Sequence, residues 1–203
     1  MKVKWTKFIT VFLVTFLVCT ALTSIGVYAT HTTMGYTIAA GNSLEFILHQ
    51  NFASATVTDC NNLMYDWNHH AGRTLTYRHA TTRHTKTNYG SLMLSDKQNY
   101  IYRKDVGKDN YVAQTKPYYS NGILTEADIN VNIALSFVNS VRLDNDEPLD
   151  IYFVLLHEVG HVIGLNHSTY PFAVMGANYK VGYIYMYRTL RPDDITGVRA
   201  LYR

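Results

Sequence analysis

His157-Glu158-Val159-Gly160-His161-Val162-Ile163-Gly164-Leu165-Asn166-His167 decides how the rest of the chain reads. His157 and His161 stand four residues apart, so on an α-helix both rings leave the same face, about one turn from each other. That spacing lets two ring nitrogens meet a single Zn²⁺ at roughly 2.0–2.1 Å. Glu158 follows the first histidine, where a carboxylate can act on a water beside the ion without binding the ion itself. Gly164 admits a positive φ, so the helix can stop and the chain can turn back. His167 then arrives from the turn as a third nitrogen. Three protein ligands leave a fourth position for water, the arrangement of a catalytic rather than a structural zinc site. His-Glu-x-x-His alone arises by chance in unrelated helices. Three His, one Glu and one Gly at set spacing, directly after an apolar run, are far more specific.

These residues resemble the H-E-x-x-H-x-x-G-x-x-H pattern of the metzincin zinc peptidases, which is followed by a methionine turn. Ser168, directly after the third histidine, resembles the matrixin (matrix metalloproteinase) branch. Met175, in Pro171-Phe172-Ala173-Val174-Met175-Gly176, matches the turn methionine, which in that family lies beneath the zinc as an apolar floor. The resemblance implies an α+β, zincin-like fold. Its twisted, mostly parallel β-sheet packs against two long helices, and the active-site helix is followed by the Met-turn and a C-terminal helix. It also implies one catalytic Zn²⁺ on His157, His161 and His167, with Glu158 as general base and a polypeptide as substrate.

Residues 1–29 read as an export signal. Lys2, Lys4 and Lys7 form a positive start, Phe8 to Val18 is apolar apart from Thr, and Val27-Tyr28-Ala29 has the small or apolar residues of a cleavage site after Ala29. The apolar run falls short of the roughly 20 residues that span a bilayer, so the expectation is a secreted, extracellular protein with no stable membrane insertion. The formal charge of +3 comes entirely from those three lysines. Residues 30–203 are therefore balanced, which removes the electrostatic case for nucleic acid or an anionic membrane as partner. Of two cysteines only Cys60 lies beyond the signal. No internal disulfide is then available, and stability must come from an apolar core. A monomer is expected.

Along the chain, residues 30–40 read as a polar, loose segment, and residues 41–203 as the catalytic domain. Ser43 to His49 alternates with Leu44, Phe46 and Leu48 on one face, predicting a strand. From Ala53 the period changes. Ala53, Val57, Cys60, Leu63, Met64 and Trp67 recur at three- and four-residue steps, predicting an amphipathic helix that ends near His69-His70-Ala71-Gly72. It resembles the first matrixin helix, and Cys60 falls on its apolar stripe. Arg73 to Tyr77 reads as a second strand. His79 and His84 read as loop histidines rather than a second zinc site, as do His69 and His70 at a frayed helix end. Tyr111 to Tyr119 reads as a strand closed by Pro117. Ile123 to Asn132 follows it, with Glu126 to Asn132 resembling the matrixin strand that carries Ala-Asp-Ile. There Ile129, Val131 and Ile133 alternate with Asp128, Asn130 and Asn132, as suits a sheet with one face on a helix. Asp128 has the hard oxygen donors that suit Ca²⁺, but the sequence supplies no full coordination sphere. Asp144 to Pro148 reads as a helix start, and Leu149 to Gly164 as the metal-bearing helix, apolar all round from Ile151 to Leu156.

At the end of the chain, Pro192 with Asp193 and Asp194 opens a last helix packed through Ile195, Val198, Leu201 and Tyr202. Asp-Asp-Ile-x-Gly-x-x-x-Leu-Tyr resembles the closing matrixin helix, which implies that one acid is held near the Met-turn. Simple dipole compensation at a helix start is the plainer alternative. Gly164, Met175, Asp193 and Asp194 are thus expected to support the site. Tyr179, Tyr183 and Tyr185, within Tyr179 to Tyr187, are expected to wall an apolar substrate pocket below His167. The stretch from Asn132 to Asp150 is too short for the long loop and edge strand of vertebrate members, so residues 110–118 are expected to supply the substrate-binding edge. Ala177 stands where some metzincins carry a transition-state Tyr. A minimal, bacterial-type domain without a latency segment or a following domain is the expectation. The reading is a secreted zinc endopeptidase, with a zinc-binding extracellular adhesion or interaction module as the alternative.

Overall fold

In the computed structural model, residues 31–71, 76–79, 96–140, 148–177 and 188–202 are described. The proposed signal, His84 and the tyrosines Tyr179, Tyr183 and Tyr185 lie outside them. A five-stranded sheet carries the fold. Its strands are β2 (Ser43–Leu48), β3 (Thr76–His79), β4 (Asn99–Lys104), β5 (Ala113–Ser120) and β6 (Ile123–Asn132), in the spatial order β3-β2-β4-β6-β5. All neighbours are parallel except β5, which runs antiparallel to β6 along the edge. The expected α+β class with a mostly parallel sheet is what forms.

Helices α1 (Ser54–His70) and α2 (Ile151–Val162) pack on this sheet around one apolar cluster. Cys60, Leu63, Met64 and Trp67 of α1 meet Phe46, Leu48, Ile101, Ile129 and Val131 of the strands and Leu155, Leu156 and Val159 of α2. The Trp67 indole N–H donates to the Leu156 carbonyl at 3.0 Å, which locks the two helices together. Cys60 is a buried thiol outside any disulfide. The stripe on α1 differs from the predicted one at its start. Ala53 is exposed and serves as the N-cap residue, while Thr56 takes the buried place one turn later.

Several sequence expectations are corrected. Helix α2 starts at Ile151, not in the Asp144–Pro148 cluster. Leu149–Asp150 is a short strand β8, paired in parallel with β7 (Phe137–Val138). The buried Asp150 carboxylate accepts from the Tyr152 N–H at 3.0 Å and from Arg188, so the first turn is capped by one acid whose charge is answered. Pro117 does not close β5; it pairs with Ala127 inside it. An edge strand tolerates a missing N–H on its outward side. Strand β3 begins at Thr76 among the described residues. Ile133 is 42 % exposed rather than part of the core, and the polar row of β6 is buried rather than solvated.

The largest correction concerns residues 30–40. His31–Thr33 forms β1, antiparallel to β9 (Leu165–Ser168). Thr37 bridges to Ile123, and Tyr36 and Ile38 are buried. Helix α3 (Pro192–Leu201) follows the methionine turn, and the Tyr202 hydroxyl just after it donates to the Ile163 carbonyl at 2.7 Å. The Tyr202 hydroxyl oxygen in turn accepts the Ile38 N–H at 3.1 Å. The start and end of the described chain therefore meet at the turn that ends α2. No helix of the described residues is long and apolar enough to cross a membrane.

Candidate metal centre

His157 and His161 sit on α2 and His167 on β9, which returns from the turn at Ile163-Gly164. One ring nitrogen from each histidine lies within 4.8 Å of those of the other two. The three ring centroids are 4.8–5.2 Å apart. Such a spread suits three donors around a common point at metal–nitrogen distances of about 2.0–2.1 Å. His157 Nδ1 lies 2.7 Å from the Val174 carbonyl and His161 Nδ1 lies 2.8 Å from the Leu165 carbonyl. A carbonyl can only accept, so Nδ1 carries the proton in both rings and Nε2 keeps its lone pair. Burial pushes His157 down to about 3 and His161 to about 4, and lowers His167 as well. All three rings are therefore neutral near pH 7, the form a metal requires. The donor set fits zinc.

Glu158 lies against this cluster. It is buried and lines the same cleft of about 380 Å³ as His157, His161 and His167. Burial raises its carboxyl to about 7, opposed by hydrogen bonds from Thr115. The cleft is walled on one side by β5 and the residues before it (Tyr111, Val112, Ala113, Gln114 and Thr115) and by Met34 of the N-terminal segment.

The sequence pattern of the family described as Matrixin, peptidase family M10, matches residues 45–203. This chain belongs to the matrixin family. Matrix metalloproteinase-19 of Homo sapiens is 38% identical to it over 73 residues, 32% of this chain and 14% of that protein. Stromelysin-3 of Homo sapiens is 42% identical over 60 residues, 30% of this chain and 12% of that protein. These relatives are thus matched over a small part of their length. Among solved structures, metalloproteinase-II from Bacteroides fragilis is a distant likeness, with TM-score 0.42 and 14% identity over 89% of this chain and 60% of that one.

In this matrixin, Gly164 has φ +101°, and a Cβ there would run into the Tyr36 carbonyl. Both the backbone sign and the close approach of the N-terminal segment demand glycine. Gly160, between the two helical histidines, is required for a different reason. Its Cβ would collide with the Met175 sulfur and the Trp67 ring. Met175 is fully buried, packed directly against the helix that carries His157 and His161.

The two acids of α3 divide their work. Asp194 accepts from the Val174, Met175 and Arg191 N–H groups at 2.8–3.0 Å, which shapes the methionine turn from behind. Asp193 accepts from the Ser168 hydroxyl at 2.6 Å and lies 2.9 Å from His31 Nε2. Because the Val174 carbonyl faces His157, the chain of contacts runs from α3 through the turn to the site. Tyr36 adds a brace from the other side by donating its hydroxyl to the His161 carbonyl at 2.5 Å. The sequence reading missed Thr115, Met34, Tyr36 and His31. The alternation of Met34, Tyr36 and Ile38 was a legible sign of an apolar face in this segment, whereas nothing local marked Thr115 or His31.

Proposed function

We propose that this matrixin is a zinc-dependent endopeptidase, exported through the signal at residues 1–29 and active outside the cell on polypeptides. The observation that carries the reading is the convergence of three imidazoles with a buried carboxylate lining the same cleft. His157, His161 and His167 would hold one Zn²⁺. When bound, the ion polarises the scissile carbonyl and makes water nucleophilic near neutral pH.

The protein's own part is positioning and proton transfer. Glu158 takes a proton from the attacking water at a carboxylate oxygen and returns it to the leaving amine nitrogen. A carboxyl held near pH 7 by burial is suited to both halves of that exchange. Val174 and Leu165 fix the tautomers of His157 and His161, and Asp194 supports Val174 in turn. Met175 and Gly160 set the depth of the helix beneath the site, and Asp193 with Ser168 steadies the chain after His167. Substrate would lie extended along β5, the edge strand at the cleft wall, adding main-chain hydrogen bonds as a further strand. Tyr179, Tyr183 and Tyr185 would wall the pocket for the side chain that follows the cut. A module that only held zinc would have no use for Glu158 in the cleft.

The test is metal content together with hydrolysis of a quenched peptide library, with and without chelator. Glu158→Gln should keep one zinc per chain and lower turnover by roughly 10²–10⁴-fold. Near-normal cleavage by that variant would overturn the reading.

A further inference from the structure

Thr115 makes a contact that the mechanism above does not explain. Its hydroxyl oxygen lies 2.6 Å from Glu158 Oε2 and 3.0 Å from the Glu158 carbonyl oxygen. A hydroxyl has one proton, so it can donate to only one of the two at a time. Oε2 is the nearer and the charged acceptor, and 2.6 Å falls within the range of charge-assisted O–H···O⁻ bonds.

We propose that Thr115 is a positioning residue for Glu158, its hydroxyl anchoring Oε2 and so leaving Oε1 to exchange the proton. The inference rests on the reading of Glu158 as the general base. The proton that moves during the reaction stays on Glu158 between water and leaving amine, and Thr115 neither gains nor loses one. The oxygen that carries the moving proton must face water and amine, so the other oxygen is the one that a fixed donor can hold.

The fold aims that hydroxyl. Thr115 pairs with Ile129 in the antiparallel β5–β6 ladder, and directly opposed residues share a face of the sheet. Ile129 is fully buried in the core beneath the helices, so Thr115 is on the α2 side. Its β-branched side chain has restricted χ1 rotamers, which presets the direction of Oγ1. Since β5 is also the edge on which substrate is proposed to lie, the same strand that receives the peptide holds the base.

The experiment compares wild type, Thr115→Val, Thr115→Ser, Thr115→Ala and Glu158→Gln, together with Thr115→Val in the Glu158→Gln background. Each is assayed for zinc content, melting temperature, kcat and KM on one quenched peptide. Thr115→Val should lower kcat by about ten- to a hundredfold, the loss of a hydrogen bond to a charged group, with KM and zinc little changed. Thr115→Ser should recover most of it, and the Val change should have no further effect once Glu158 is Gln. Equal kcat for the Ser and Ala variants overturns the proposal, and that comparison stands even if the Val variant fails to fold. An additive loss in the double variant overturns it too. The parent reading fails separately, if wild type shows no chelator-sensitive cleavage or Glu158→Gln remains active.

Discussion

Strand β6 presents Ala127, Ile129 and Val131 to the helices and Glu126, Asp128, Asn130 and Asn132 to the other side, and both rows are buried. The apolar row needs only volume to fill; its stabilisation scales with area removed from water. The polar row loses hydration, so it is tolerable only through specific partners. Glu126 accepts from the Lys97 N–H, Asp128 from the Tyr100 N–H at 2.9 Å, and Asn130 donates to the Tyr111 hydroxyl at 2.9 Å. Asn132 donates to the Gly107 and Tyr111 carbonyls, both at 2.9 Å, and accepts from the Val106 and Ala134 N–H groups. The contrast teaches a division of labour within one strand. One row holds the helices, one of which carries His157 and His161, and the Asn130–Asn132 end of the other ties down residues 106–111, which lead directly into the cleft wall.

If that division holds, the largest loss comes from the apolar side. Ile129→Ala should destabilise the fold by about 2–5 kcal/mol in denaturant unfolding, by lost burial and a residual cavity. A cost below 1 kcal/mol would show that the helices do not depend on this row. The next effect is pH-dependent. Burial, followed by the nearby Glu126 and Asp96 charges, raises Asp128 to about 7, against hydrogen bonding from Tyr100. A raised carboxyl pKa contributes stability that is full below the unfolded value near 4 and is lost as pH rises through about 7. Asp128→Asn should therefore gain on wild type as pH climbs across that window, on the order of 4 kcal/mol for about three units at about 1.4 kcal/mol each, and level off above it. A difference independent of pH would break the assignment. The smallest effect should follow Asn132→Ala, at roughly 1–3 kcal/mol for the orphaned groups. That variant should also raise KM severalfold, because Tyr111 and Val112 line the cleft. An unchanged KM would reduce the polar row to a purely stabilising role.

Sequence alone carried the site further than the fold around it. His157 and His161 were legible because a helix converts a four-residue step into a shared face, and Gly164 because a sharp turn restricts residue choice so severely. Strand β6 was legible by alternation, but alternation says nothing about what covers the polar side, so its burial was not. Asp150 was hidden as a cap because several acids precede it and any of them could have opened α2. Residues 30–40 looked polar by composition, although Met34, Tyr36 and Ile38 take every second place. Thr115 could not be found at all, since its partner Glu158 is 43 residues away and only the β5–α2 packing joins them.

The Asp194 clamp has a consequence for how the protein is made. Val174, whose carbonyl fixes the His157 tautomer, is itself held through its N–H by an acid encoded twenty residues later. On a growing chain, all three histidines leave the ribosome before the group that sets their geometry. A nascent chain stalled short of Pro192 would thus hold every proposed zinc ligand and still lack a formed centre.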